Sequence, residues 1–186
     1  AEKLCFEILE EDPKNISTLN LLGIILFQKK KFEEAIKVVK NSIKINSKQA
    51  DANNNLGLML LDLKKFDDAI FSFEKAIEIN DQLSDAYFNL GITYKELGIT
   101  DKAIFNWEKV IEIQPKNFQA FNNIGNIFLE KNKDVLAIKY YEKALSLNKN
   151  FYLAYFNRGN ALQKLGKLNE SIDSFSETIK LNPKYS

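Results

Sequence analysis

Gly23, Gly57, Gly91, Gly125 and Gly159 lie 34 residues apart, and this spacing constrains the chain more than any other feature. Ala35, Ala69, Ala103 and Ala137 follow the first four glycines by twelve residues, with Ser171 in the fifth slot. Four residues later come Val39, Phe73, Trp107, Tyr141 and Phe175. The three prolines, Pro13, Pro115 and Pro183, share one register of the same period, and Gly98 and Gly166 share another. A period of this length marks a stacked array, in which one supersecondary unit recurs and each copy buries its apolar face on its neighbours.

Each unit reads as two helices. In the third, residues 85–97 place Ala86, Leu90 and Tyr94 on one stripe at spacing four, with Tyr87 and Gly91 on the adjoining stripe. Gly98 is expected to end that helix in a left-handed conformation. A second helix is predicted to start near Thr100, as N-cap beside Asp101, and to stop before Pro115. It carries Ala103, Ile104, Trp107, Val110 and Ile111 inward. Glycine inside a helix costs about 1 kcal/mol relative to alanine. Five such costs at one register call for a compensation. Close helix–helix approach supplies it, with the small residue twelve positions later expected to face each glycine.

Composition narrows the chemistry. The 186 residues are 45% apolar and 27% charged, as in a folded domain. Lys+Arg at 26 against Asp+Glu at 25 gives no bulk attraction to nucleic acid or to anionic lipid. Histidine is absent, which removes the commonest general base and the commonest metal ligand. The single cysteine, Cys5, is expected to be a small buried apolar residue. No cofactor, metal or catalytic set is expected, and the chain reads as non-enzymatic. No apolar run is long enough for a membrane span, which points to a reducing, cytoplasmic location without membrane insertion.

A 34-residue helical pair with Tyr87, Leu90, Gly91, Tyr94, Ala103, Trp107 and Pro115 at these offsets resembles the tetratricopeptide repeat. Repeat units are placed at 16–49, 50–83, 84–117, 118–151 and 152–185, and 1–15 matches the second helix of an earlier unit. The resemblance implies an all-α, right-handed superhelical solenoid of antiparallel helix hairpins with eleven helices. Ser42, Val110 and Thr178 depart from it at the second small position, and Arg158 stands where leucine is usual. Because the chain opens in mid-unit, it reads as a fragment of a longer protein.

That family lines a concave groove with its first helices, and partners bind there. By the same resemblance, the groove registers include the residue two before each repeat glycine: Leu21, Asn55, Asn89, Asn123 and Asn157. Four asparagines then form a ladder, and each amide offers two donors and an acceptor to the backbone of an extended peptide. Asn126 and Asn160 extend the polar strip where the earlier units carry Ile24, Leu58 and Ile92. Asp51, Asp62, Asp85 and Glu96 add negative charge near the middle. The register that holds the first lysine of the family's carboxylate clamp carries Asn20, Asn54, Phe88, Asn122 and Phe156, which disfavours capture of an acidic C-terminal tail.

The expected function is a scaffold that binds a protein or extended peptide in its groove, with no nucleic-acid partner. The alternative is the substrate-recruiting arm of a larger enzyme, such as an O-linked glycosyltransferase-like protein. The first helix lacks a partner for some of Leu4, Cys5, Phe6, Ile8 and Leu9, so weak end-to-end association is predicted. Light scattering across a concentration series should then give a rising apparent mass; a constant monomer mass into the millimolar range would contradict it.

Overall fold

A computed structural model describes residues 1–184. Among these residues it contains eleven α-helices and no strand. Two compact units divide the chain, residues 1–97 and 98–186. The first unit holds α1 (Glu2–Glu11), α2 (Ile16–Gln28), α3 (Phe32–Ile45), α4 (Ala50–Asp62), α5 (Phe66–Ile79) and α6 (Ser84–Glu96). The second holds α7 (Thr100–Ile113), α8 (Phe118–Glu130), α9 (Asp134–Leu147), α10 (Tyr152–Lys164) and α11 (Leu168–Leu181). The even-numbered helices are the first helices of hairpins, and α3, α5, α9 and α11 each pack on the helix before them.

Punctuation comes from local chemistry repeated at fixed registers. Each first helix is followed by a left-handed residue: Lys30, Lys64, Gly98, Asn132 and Gly166 have φ of 62°, 56°, 73°, 55° and 72°. After α4 the amide of Lys64 donates to the Leu61 carbonyl at 2.9 Å, and that of Lys65 donates to the Leu60 carbonyl at 2.8 Å. The amides of Lys31, Lys133 and Lys167 make the same reach back to Leu26, Phe128 and Leu162. This is the Schellman closure, and it satisfies carbonyls that a helix end leaves without partners. Each second helix except α7 ends into an Asx turn. The side chains of Asp12, Asn46, Asn80, Asn148 and Asn182 accept a bond from the amide two residues on.

Helix starts are less uniform. Asn15 and Asn117 cap α2 and α8, accepting from the Thr18 and Ala120 amides at 3.0 Å. Thr100 is not the cap of α7, as the sequence suggested. The helix already includes it, and Ile99 occupies the cap position without a side-chain bond. The turn after Gly98 is one residue shorter than a threonine cap would need.

The core follows the repeat. Ala35, Ala69, Ala103 and Ala137 are fully buried, as are Phe73, Trp107 and Tyr141, and Cys5 is buried as expected. The compensation for the glycines differs from expectation in one respect. The space in front of Gly23, Gly57, Gly125 and Gly159 is filled most closely by the side chain sixteen positions later, rather than by that of the small residue twelve later. A Cβ on Gly57, Gly125 or Gly159 would lie 2.5 Å, 2.6 Å and 2.6 Å from the rings of Phe73, Tyr141 and Phe175. At Gly23 it would lie 2.3 Å from Val39. The small residue serves the backbone instead: the Ala35 carbonyl lies 3.5 Å from the Gly23 Cβ position, and the Ser171 hydroxyl donates to the Gly159 carbonyl at 2.9 Å.

Two stability changes should follow, both measured by chemical denaturation. Gly57→Ala gains about 1 kcal/mol of helix propensity but drives its methyl into a buried ring, an overpacking that costs about 1–3 kcal/mol. A net loss of up to about 2 kcal/mol is expected, and a gain would show that the ring yields freely. Lys64→Gly should raise stability by about 0.5–1 kcal/mol. It relieves left-handed strain of about 1–2 kcal/mol and gives part back as unfolded-chain entropy.

Candidate functional site

In α4, Gly57 faces Phe73 of the second helix, so the side turned away carries Asp51, Asn55, Leu58 and Asp62 at spacing four, three and four. Asp51, Leu58 and Asp62 are exposed and Asn55 is half-buried. The same stripe reads Asp85, Asn89, Ile92 and Glu96 on α6, and Ser17, Leu21, Ile24 and Gln28 on α2. In the second unit it reads Gln119, Asn123, Asn126 and Glu130 on α8, and Leu153, Asn157, Asn160 and Lys164 on α10. All six asparagines expected in the groove therefore lie on this outward stripe, each half-buried.

Several of these amides bond to the preceding first helix. Asn89 Nδ2 donates to Asn54 Oδ1 at 3.0 Å. Asn157 Nδ2 donates to Asn122 Oδ1 at 3.1 Å and to Asn126 Oδ1 at 3.0 Å. Asn126 Oδ1 also accepts from the Tyr141 hydroxyl at 2.9 Å. Burial of that phenol raises its pKa, and the nearby carboxylates of Glu130 and Asp134 push it further the same way. Asn54 and Asn122 are buried, so the bonds they accept offset their desolvation.

The first unit breaks this rule between α2 and α4. By the same 35-residue spacing Asn55 should bond to Asn20, but Asn20 Nδ2 donates to Gln49 Oε1 at 2.8 Å and its Oδ1 is buried without a partner. The side chain of Asn55 makes no hydrogen bond among the described residues; it lines a hollow of about 250 Å³ with Ile24, Phe27, Gln28, Leu58 and Met59. Asn123 and Asn160 likewise make no side-chain hydrogen bond among the described residues. The open amides are thus Asn55, Asn123 and Asn160. The engaged ones keep unused groups: Asn89 an N–H and its Oδ1, Asn157 its Oδ1, and Asn126 both N–H donors.

Sequence reading singled out the donors of these rungs and missed what they bond. In the sequence, Asn54 and Asn122 stand out only as positions that lack a clamp lysine. Their adjacency to the ladder register was the available signal, because 35 residues separate each donor from its acceptor. Gln49 and the Tyr141 hydroxyl had no such signal.

No curated protein matches the chain. Solved structures do. MamA superposes with a TM-score of 0.79 at 24% identity, covering 88% of this chain and 95% of that one. YrrB, described as a TPR protein with an unusual peptide-binding site, gives 0.76 at 16% identity over 100% and 95%. PilF of Pseudomonas aeruginosa gives 0.81 at 20% identity over 90% and 76%. At these identities the likeness is one of fold. The tetratricopeptide repeat model matches residues 50–83, 84–117 and 152–185, and a second TPR repeat model matches 23–63 and 125–166. With hairpins of one period, glycines seated against second-helix side chains and more than half its length matched, the chain belongs to the tetratricopeptide repeat family.

Proposed function

We propose that this protein is a protein-interaction scaffold that holds an extended peptide or protein segment along the outward stripe of its first helices. Asparagine amides contact the ligand backbone. The observation that carries this reading is the state of Asn55 and Asn123, half-buried amides that bond to no protein group. Their donors and acceptors are open to an arriving peptide backbone, and each such bond contributes about 0.5–1.5 kcal/mol net. Asn89 is held in place by its bond to Asn54, and Asn126 and Asn157 by their bonds to each other, to Tyr141 and to Asn122; all three offer their remaining groups to the same ligand. Asn160 extends the row. Pre-organisation of this kind reduces the ordering cost of binding.

The repeat fold of the family and its general use in holding protein partners support the scaffold reading. No described helix is long and apolar enough to cross a membrane. Weak end-to-end self-association belongs to the same proposal.

Two paired variants separate binding from structure, using peptides selected on the wild-type protein from a displayed random library. Asn55→Ala with Asn123→Ala removes two open amides, each worth about 0.5–1.5 kcal/mol in a bond to ligand. Affinity should fall by about fivefold to a hundredfold, with the melting temperature unchanged. Asn89→Ala with Asn157→Ala should instead lower stability by about 1–3 kcal/mol, because it breaks rungs between first helices. Unchanged affinity in the first pair would refute backbone contact by the row.

A further inference from the structure

The outward stripes of α4 and α6 share a composition absent from the other three first helices: a carboxylate at each end, an asparagine, then an aliphatic residue. Asp51 and Asp85 lie in the first turns of their helices, where the positive end of the helix dipole favours negative charge. Local structure accounts for them. Asp62 and Glu96 are the last residues of the same helices, where that dipole opposes a carboxylate. Neither is held by an ion pair among the described residues. The contrast with α10 is direct: it ends on Lys164, as the dipole prefers, and that lysine pairs with Asp134 at 3.9 Å.

Asp62 and Glu96 line one hollow of about 260 Å³ together with Leu61, Lys64, Phe66 and Ile92. Lys64 opposes them, and a net negative charge remains. One helix away lies the α2–α4 hollow, which is mainly apolar and whose polar lining is limited to the amides of Gln28 and Asn55. Leu58 on its wall is 39% exposed. An apolar hollow therefore adjoins an acidic one on the same face of the first unit.

We infer that the first unit selects a partner segment carrying an aliphatic side chain and a lysine or arginine, the aliphatic group entering the α2–α4 hollow and the cation lying between Asp62 and Glu96. This rests on the reading that ligands lie along the outward stripe. Neighbouring helix axes are about 8–10 Å apart, and an extended chain advances about 3.3 Å per residue, so the two anchors stand about three residues apart. Asn55, on the wall of the apolar hollow, bonds the ligand backbone beside the aliphatic anchor. The charge complementarity is local, because the chain as a whole is nearly neutral at +1.

Fluorescence anisotropy with labelled synthetic peptides in an otherwise Gly/Ser/Thr host tests this. A Leu-x-x-Arg peptide should bind at least about fivefold more tightly than its Leu-x-x-Glu and Ala-x-x-Arg counterparts, and the arginine preference should shrink as salt rises. Asp62→Asn with Glu96→Gln should abolish discrimination between arginine and glutamate while the leucine preference survives. Leu58→Asn should do the reverse. It places at this register the residue that Asn126 and Asn160 already supply on α8 and α10, so the fold should tolerate it. Circular dichroism melts of each variant check that point. Equal binding of the arginine and glutamate peptides, or an arginine preference that persists without the two carboxylates, overturns the inference and leaves groove binding intact. Binding that no change on the outward stripe affects overturns the groove reading itself.

Discussion

The contact on which the rest depends is the seating of a first-helix glycine against a second-helix side chain sixteen residues later. At Gly57 and Gly125 the partner is a fully buried ring, Phe73 or Tyr141. Without a side chain on the glycine, the ring lies where a Cβ would be and the two helices close on each other. Dispersion and burial over that area outweigh the helix-propensity cost of glycine. This fixes which side of each first helix faces inward. It thereby fixes the outward stripe two and six residues before the glycine and one and five after it.

Polar bookkeeping follows from the same geometry. The closures after α2, α4, α8 and α10 satisfy helix carbonyls through a left-handed residue, and glycine fills that place after α10 but lysine or asparagine elsewhere. The Asx turns after α3, α5 and α9 employ Asn46, Asn80 and Asn148. Much of the chain's asparagine is thus structural: caps, turns and rungs between first helices. Against that background, an amide such as Asn55, left without a bond beside an apolar hollow, stands apart from its equivalents Asn89 and Asn157.

The outward stripes of the two units differ in composition. In the first, aliphatic residues follow the asparagine register at Leu58 and Ile92, with carboxylates at the stripe ends. In the second, Asn126 and Asn160 replace the aliphatics, and α10 carries Leu153 and Lys164 at its ends. Repetition conserves the inward registers because every unit must pack on its neighbours. The outward registers are less constrained, and their residues vary from unit to unit.

The sequence by itself determined the period, the eleven helices, the inward registers and the positions of the outward asparagines. Each of these is local or repeats at a fixed interval, so glycine, proline and apolar spacing record it directly. The family and its helix-hairpin fold follow from the same pattern. Tertiary structure decided which atoms meet. Nothing in the spacing says that the side chain at +16, rather than alanine at +12, fills the glycine's space. Nor does it say that Asn89 bonds to Asn54 while Asn20 turns to Gln49 and leaves Asn55 open. Those outcomes depend on the distance and rotation between helices. A shift of about an ångström makes or breaks a hydrogen bond, and no residue count encodes a displacement that small.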